Sequence, residues 1–134
     1  MKDRKLLVIY NTCGISGRNN TDWYVKSLNK LLEQNFDNYR VVFSSCLNSE
    51  ECRDEIFSTF GDKISYCHHS QPHTVNVTFN KTVQECVKHF GEFEGYLYVD
   101  SGILFTDDAA MKNAYDLFKR GTAAFVTIQV DTDT

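Results

Sequence analysis

Gly95-Tyr-Leu-Tyr-Val-Asp-Ser-Gly-Ile-Leu-Phe105 is a short apolar run that ends on a lone aspartate, Asp100, with serine and glycine directly behind it. A strand buried on both faces does not hold a charge, so Asp100 belongs at the carboxyl edge of a sheet. In an open α/β sheet that edge is where ligands bind, at the crevice where the strand order reverses. The rest of the chain reads as the scaffold that brings Asp100 there.

Working outward, strands and helices alternate without a break. Leu6-Leu-Val-Ile-Tyr10 is a continuous run of β-formers with the pattern of a central parallel strand. After a loop rich in glycine and asparagine, Asp22 to Gln34 places Tyr24, Val25, Leu28, Leu31 and Leu32 at helical spacing, with Thr21 or Asp22 as the cap. Arg40 to Ser45 is a second strand that turns polar at its end. Helices are expected from Ser49 to Phe60 and from Val75 to Phe90, stopped by Gly61 and Gly91, with a weaker strand over Lys63 to Cys67 between them. The strand Tyr96 to Val99 precedes a helix from Thr106 to Arg120, and a last strand, Ala123 to Val130, leads into Asp131-Thr-Asp-Thr134. Right-handed crossovers put helices on both faces of such a sheet, so the fold class is α/β: a three-layer α/β/α, Rossmann-like, mostly parallel sheet. With no repeat or linker, residues 1–134 read as a single domain.

Composition excludes several classes. At 134 residues, 42% hydrophobic and 13% aromatic with one proline, the chain can build one packed core. A net charge of -4, with Lys and Arg spread thinly, leaves no electrostatic footprint for nucleic acid. No apolar run approaches the roughly 20 residues of a membrane span, and the one after Met1-Lys-Asp-Arg-Lys5 is too short for a signal-peptide core. Five cysteines (Cys13, Cys46, Cys52, Cys67, Cys86), odd in number and without a Cys-x-x-Cys pair, favour reduced thiols and a cytoplasmic setting. The sequons at Asn19, Asn76 and Asn80 carry no weight there. Cys67, His68, His69 and His73 cluster in sequence, but their spacing fits no usual zinc set, and a polar loop is the simpler expectation.

Three strand ends should converge at the crevice: Asn11-Thr12-Cys13-Gly14, Ser44-Ser45-Cys46-Leu47-Asn48 and Asp100-Ser101-Gly102. All are small and polar, which suits a wall that hydrogen-bonds a ligand. Gly14-Ile-Ser-Gly17 is neither Gly-x-Gly-x-x-Gly nor a Walker A loop, so P-loop chemistry has no support, and Arg18 alone reads as solvated. Trp23 and Tyr24 open the first helix, where packing is a more natural role than stacking on a base. Asp107 and Asp108 follow Thr106 at a helix start, where carboxylates offset the helix dipole.

In order, these pieces resemble the nucleotide-binding half of a GT-A glycosyltransferase of the family 2 type. The residues that carry the likeness are Tyr10-Asn-Thr12 after the first strand and Val25-Lys-Ser-Leu-Asn-Lys-Leu-Leu-Glu-Gln34 running on to Tyr39-Arg-Val-Val. Asn80 reads as the asparagine ahead of a helix, followed by Gly91-Glu-Phe-Glu-Gly95 and the strand to Asp100, which stands where the family has the first carboxylate of an Asp-x-Asp motif. The resemblance implies transfer of a sugar from a nucleoside diphosphate donor, such as a UDP- or GDP-sugar, to a glycan, lipid or protein acceptor. It implies Mn2+ or Mg2+ at Asp100, neutralising the departing diphosphate. Asn11, Thr12, Ser44 and Ser45 would line the nucleoside pocket, with Asn80 and Ser101 in the same donor site.

The departures are specific. Gly102 replaces the second carboxylate of the motif, and Ser44 and Ser45 stand where the family places acidic residues. Asp131-Thr-Asp133 is a literal Asp-x-Asp after another strand: either a solvated tail or a second source of carboxylates, Asp133 for metal and Asp131 or Asp133 as catalytic base. A chain of this length is expected to lack the acceptor-binding half, and its edge strands leave room for a homo-oligomer. The competing reading is a non-catalytic binding module of the same fold. A receiver-type signalling domain is disfavoured because Tyr10-Asn-Thr occupies the place of its acidic pair.

Overall fold

The computed structural model describes residues 5–14, 20–72 and 74–120. Its elements are β1 (Leu6–Cys13), α1 (Thr21–Leu32), β2 (Tyr39–Cys46), α2 (Glu50–Phe60), a 3-10 turn (Gly61–Lys63), β3 (Ser65–His69), α3 (Val75–Phe90), β4 (Gly95–Asp100) and α4 (Ala110–Lys119). The sheet is wholly parallel in the order β3-β2-β1-β4. The expected strand over 123–130 lies outside the described residues.

The central strand carries the core on both faces, as its unbroken apolar run requires. Leu6, Val8 and Tyr10 face α1 and α2 and pack with Leu28, Leu31, Phe43 and Ile56, while Leu7 and Ile9 face α3 and pack with Val42, Cys86 and Phe93. Leu7, Val8 and Ile9 are fully buried, worth about 1.5–3 kcal/mol each against exposure. Ser49 caps α2 by accepting the Cys52 N–H at 3.1 Å, and Thr74 caps α3 by accepting that of Val77 at 3.4 Å. The sequence-predicted stops, Gly61 and Gly91, sit at φ 54° and 88°, where glycine alone is unstrained.

Two elements differ from expectation. The strand expected over Lys63 to Cys67 is displaced to Ser65–His69, so His68 and His69 belong to a strand rather than to a polar loop, and His69 is buried. The helix expected from Thr106 begins at Ala110 instead. Residues 101–109 run beside α1, and Ser27 in α1 and Gln34 just beyond it bond carbonyls of this segment. Ser27 Oγ donates to the Ile103 carbonyl at 2.8 Å, and Gln34 Nε2 to that of Asp107 at 2.7 Å. Gln34 Oε1 then accepts the Met111 N–H at 2.9 Å, which fixes where α4 starts.

Candidate functional site

The chain leaves β1 towards β2 and β3 and returns through α3 to β4 on the other side, so the order reverses between β1 and β4. Their carboxyl ends form the crevice. Asn11 and Asp100 are register partners there, and partners in a parallel pair share a face. Both therefore stand on the α3 side, Asn11 half-buried and Asp100 exposed.

Asp100 is oriented by its own turn. Its Oδ1 accepts the Gly102 N–H at 3.0 Å and its carbonyl accepts the Ile103 N–H at 3.0 Å. The other carboxylate oxygen has no hydrogen bond or ion pair among the described residues. Beside it, Asn11 Nδ2 donates to the Tyr98 hydroxyl at 3.5 Å. The Thr78 hydroxyl, in the first turn of α3, is shared between Asn11 Oδ1 at 3.4 Å and the Val75 carbonyl at 3.0 Å. Burial and then the neighbouring Asp100 charge raise the Tyr98 pKa, so the phenol keeps its proton as a donor. Tyr98 and Thr78 were not singled out from sequence. The signal for Tyr98 was there, since residues two apart on a strand share a face and Tyr98 is two before Asp100.

Ser101 follows Asp100, half-buried. Its N–H donates to the Asn11 carbonyl at 3.1 Å, while its carbonyl accepts from the Trp23 indole and, at 3.5 Å, from the Tyr10 hydroxyl. Trp23 thus anchors the crevice through backbone.

The other sequence-predicted residues are near this edge but turned inward. Thr12 lies on the opposite face, buried, with its hydroxyl 3.1 Å from the Ser44 carbonyl and 2.9 Å from Asn48 Oδ1. Ser45, also buried, donates to Asn48 Oδ1 at 2.9 Å and lies 3.3 Å from His68 Nδ1. Burial, then the charge of Arg53, hold that imidazole below its usual range. Ser44 has no exposure; its Oγ meets Thr82 Oγ1 at 3.1 Å and His69 Nε2 at 3.3 Å, and the last two atoms are 3.0 Å apart. This triangle ties β2, β3 and α3 together beneath the crevice. Asn80 does not precede a helix: it lies within α3, exposed. Asp131 and Asp133 lie outside the described residues, as do Arg18 and His73.

Among the described residues no group of three or more His, Cys, Asp or Glu side chains could hold a metal ion. Cys67 and His69 approach to 3.7 Å without further ligands, and burial raises the Cys67 thiol pKa, which suits a neutral core thiol. What Asp100 offers is one open carboxylate oxygen. That fits a hard cation of the Mg2+ or Mn2+ kind, which takes one or two carboxylates and completes its shell with phosphates and water. Among the described residues that oxygen is not part of a protein cage for a resident ion. Among the described residues, no helix is long and apolar enough to cross a membrane.

No protein-family model and no curated protein sequence matches the chain. Among solved structures, it is similar to a mannosyltransferase from Pyrobaculum calidifontis determined in complex with GDP-Man and Mn2+, with a TM-score of 0.65 and 13% identity. The match covers 84% of this chain and 32% of the mannosyltransferase, so the chain spans about a third of that protein's length. At this identity the likeness is one of fold alone, in keeping with the parallel Rossmann-like sheet.

Proposed function

We propose that the chain, as one domain over 1–134, is the donor-binding part of a GT-A glycosyltransferase that uses a nucleoside diphosphate sugar. The observation that carries this reading is the Asp100 carboxylate, exposed at the reversal of strand order with one oxygen unengaged, opposite Asn11. The fold shared with a mannosyltransferase that binds GDP-Man and Mn2+ supports it.

In this reading Asp100 takes a divalent cation delivered with the diphosphate, and Ser101 borders it. The cation supplies neutralisation of the charge that develops on the departing nucleoside diphosphate. Asn11 and the Tyr98 hydroxyl line the floor beside it and bind ribose or phosphate oxygens. Thr12, Ser44 and Ser45 hold the strand ends in place from inside. Asn80, exposed on α3, is assigned no ligand contact. Asp133 is a candidate further ligand, and Asp131 or Asp133 a candidate base. The acceptor, whether glycan, lipid or protein, and any partner copy would meet the chain beyond this crevice.

Calorimetric titration with GDP, UDP and their sugars, with and without Mn2+, tests the reading: metal-dependent binding of one nucleotide is expected. Silence across that panel would remove it. A second reading, a binding module without turnover, is favoured by one observation, the glycine at 102 that leaves a single carboxylate in the turn. Release of sugar from the bound donor would exclude it.

A further inference from the structure

Two side chains from different elements converge on one backbone carbonyl, that of Ser101. The Trp23 indole donates from α1 and the Tyr10 hydroxyl from β1, the latter at 3.5 Å. That carbonyl belongs to the peptide joining Ser101 to Gly102, whose N–H is the donor to Asp100 Oδ1 at 3.0 Å. A trans peptide is rigid and planar, with C=O and N–H pointing opposite ways. The indole therefore grips one end of a lever whose other end holds the carboxylate. Neighbouring bonds leave the lever little play: Ser101 N–H is tied to the Asn11 carbonyl at 3.1 Å, and the Ile103 carbonyl to Ser27 at 2.8 Å.

We infer that Trp23, with Tyr10, is a positioning residue for the Asp100 carboxylate, fixing through the Ser101–Gly102 peptide the direction in which its free oxygen faces. The inference rests on the reading of Asp100 as the cation-binding carboxylate. Among the described residues Asp100 is the one carboxylate that serves the cation in that reading, so its aim bears directly on the cation's contribution. Trp23 is half-buried and also packs against the core around Leu28 and Tyr24, so a purely structural role predicts a loss of stability with no change in metal dependence.

The experiment measures GDP affinity with and without Mn2+ for the native protein, Trp23→Phe and Tyr10→Phe, beside their thermal midpoints. In Trp23→Phe the metal-free affinity is expected to hold while the gain from Mn2+ falls about fivefold, the worth of one net hydrogen bond. Tyr10→Phe, which keeps the ring and drops the longer bond together with the hydroxyl's contact with Ser27, loses less. Replacing Trp23 by 7-azatryptophan keeps the indole N–H and restores the gain. Trp23 is the single tryptophan of the chain, so quenching of its emission by Mn2+ in the presence of GDP gives a second readout independent of turnover. A folded Trp23→Phe protein with an undiminished Mn2+ gain overturns the inference and leaves the Asp100 reading standing. If Trp23→Phe does not fold, Tyr10→Phe decides by the same ratio. A native protein with no Mn2+ gain overturns both.

Discussion

Asp100 Oδ1 accepts the backbone N–H of Gly102 at 3.0 Å, which leaves one carboxylate oxygen inside the turn and the other outside it. The two oxygens can be separated by substitution. In Asp100→Asn the amide oxygen still accepts from Gly102, so stability should change by no more than about 0.5 kcal/mol. The charge that would hold a cation is gone, and the Mn2+-dependent gain in GDP affinity should fall by about tenfold. Calorimetry with a parallel thermal melt checks both halves, and an unchanged gain would refute the cation assignment.

Gly102→Asp is expected to tighten Mn2+-assisted nucleotide binding. Among the described residues a Cβ at position 102 meets only Asp100 Oδ1, at 3.6 Å, an ordinary contact, and the backbone there is not in the left-handed region. The second carboxylate then stands beside the first, as hard cations prefer. About a tenfold gain in affinity in Mn2+, absent in EDTA, is the expected result of the titration.

Gly14→Ala should be costly although the side chain is small. Its Cβ would lie 2.6 Å from the Leu47 carbonyl oxygen and 2.7 Å from Asn48 Cα, both backbone atoms of the turn after β2. Strand ends must separate to admit it, at about 1–3 kcal/mol. Urea unfolding should show a lower midpoint with an unchanged slope.

Glu94 gives a pH dependence whose sign is fixed. The Tyr115 hydroxyl at 2.7 Å, then Lys119 at 3.0 Å, hold its carboxylate below the usual range. A carboxyl depressed on folding adds stability above its unfolded pKa, and that stability is lost as pH falls through the folded value. The thermal midpoint of Glu94→Gln should lie below that of the native protein near neutrality and meet it in acid. A constant gap across that range would show that the charge plays no part.

The fold was legible where local pattern decides it. Continuous apolar runs at Leu6–Tyr10 and Tyr96–Val99 marked strands, the first buried along its length and the second only in part, with Tyr96 exposed, and glycine after periodic segments marked helix ends at 61 and 91. It was not legible where a distant partner decides. Nothing near Thr106 says that Gln34 will bond both the Asp107 carbonyl and the Met111 N–H, the pair of bonds that sets the start of α4. The candidate site divides in the same way. Asn11, Asp100 and Ser101 could be placed at the crevice edge from their position at strand ends, and the structure has them there. Thr12, Ser44 and Ser45 were of the right chemical type, but a hydroxyl's type does not reveal whether it faces a ligand or, as here, Asn48, His69 and Thr82.

The position of β1 between β2 and β4 gives its two seams unequal loops. β2 follows β1 after a single helix, whereas β4 is separated from it by α1, β2, α2, β3 and α3. The entropy lost on closing a loop grows with its length. The seam from Leu6 opposite Gly95 to Asn11 opposite Asp100 therefore closes the longest loop among the described strand pairs. A ligand that grips both sides of its upper end opposes the detachment of β4, so occupancy of the crevice and retention of that strand are thermodynamically linked.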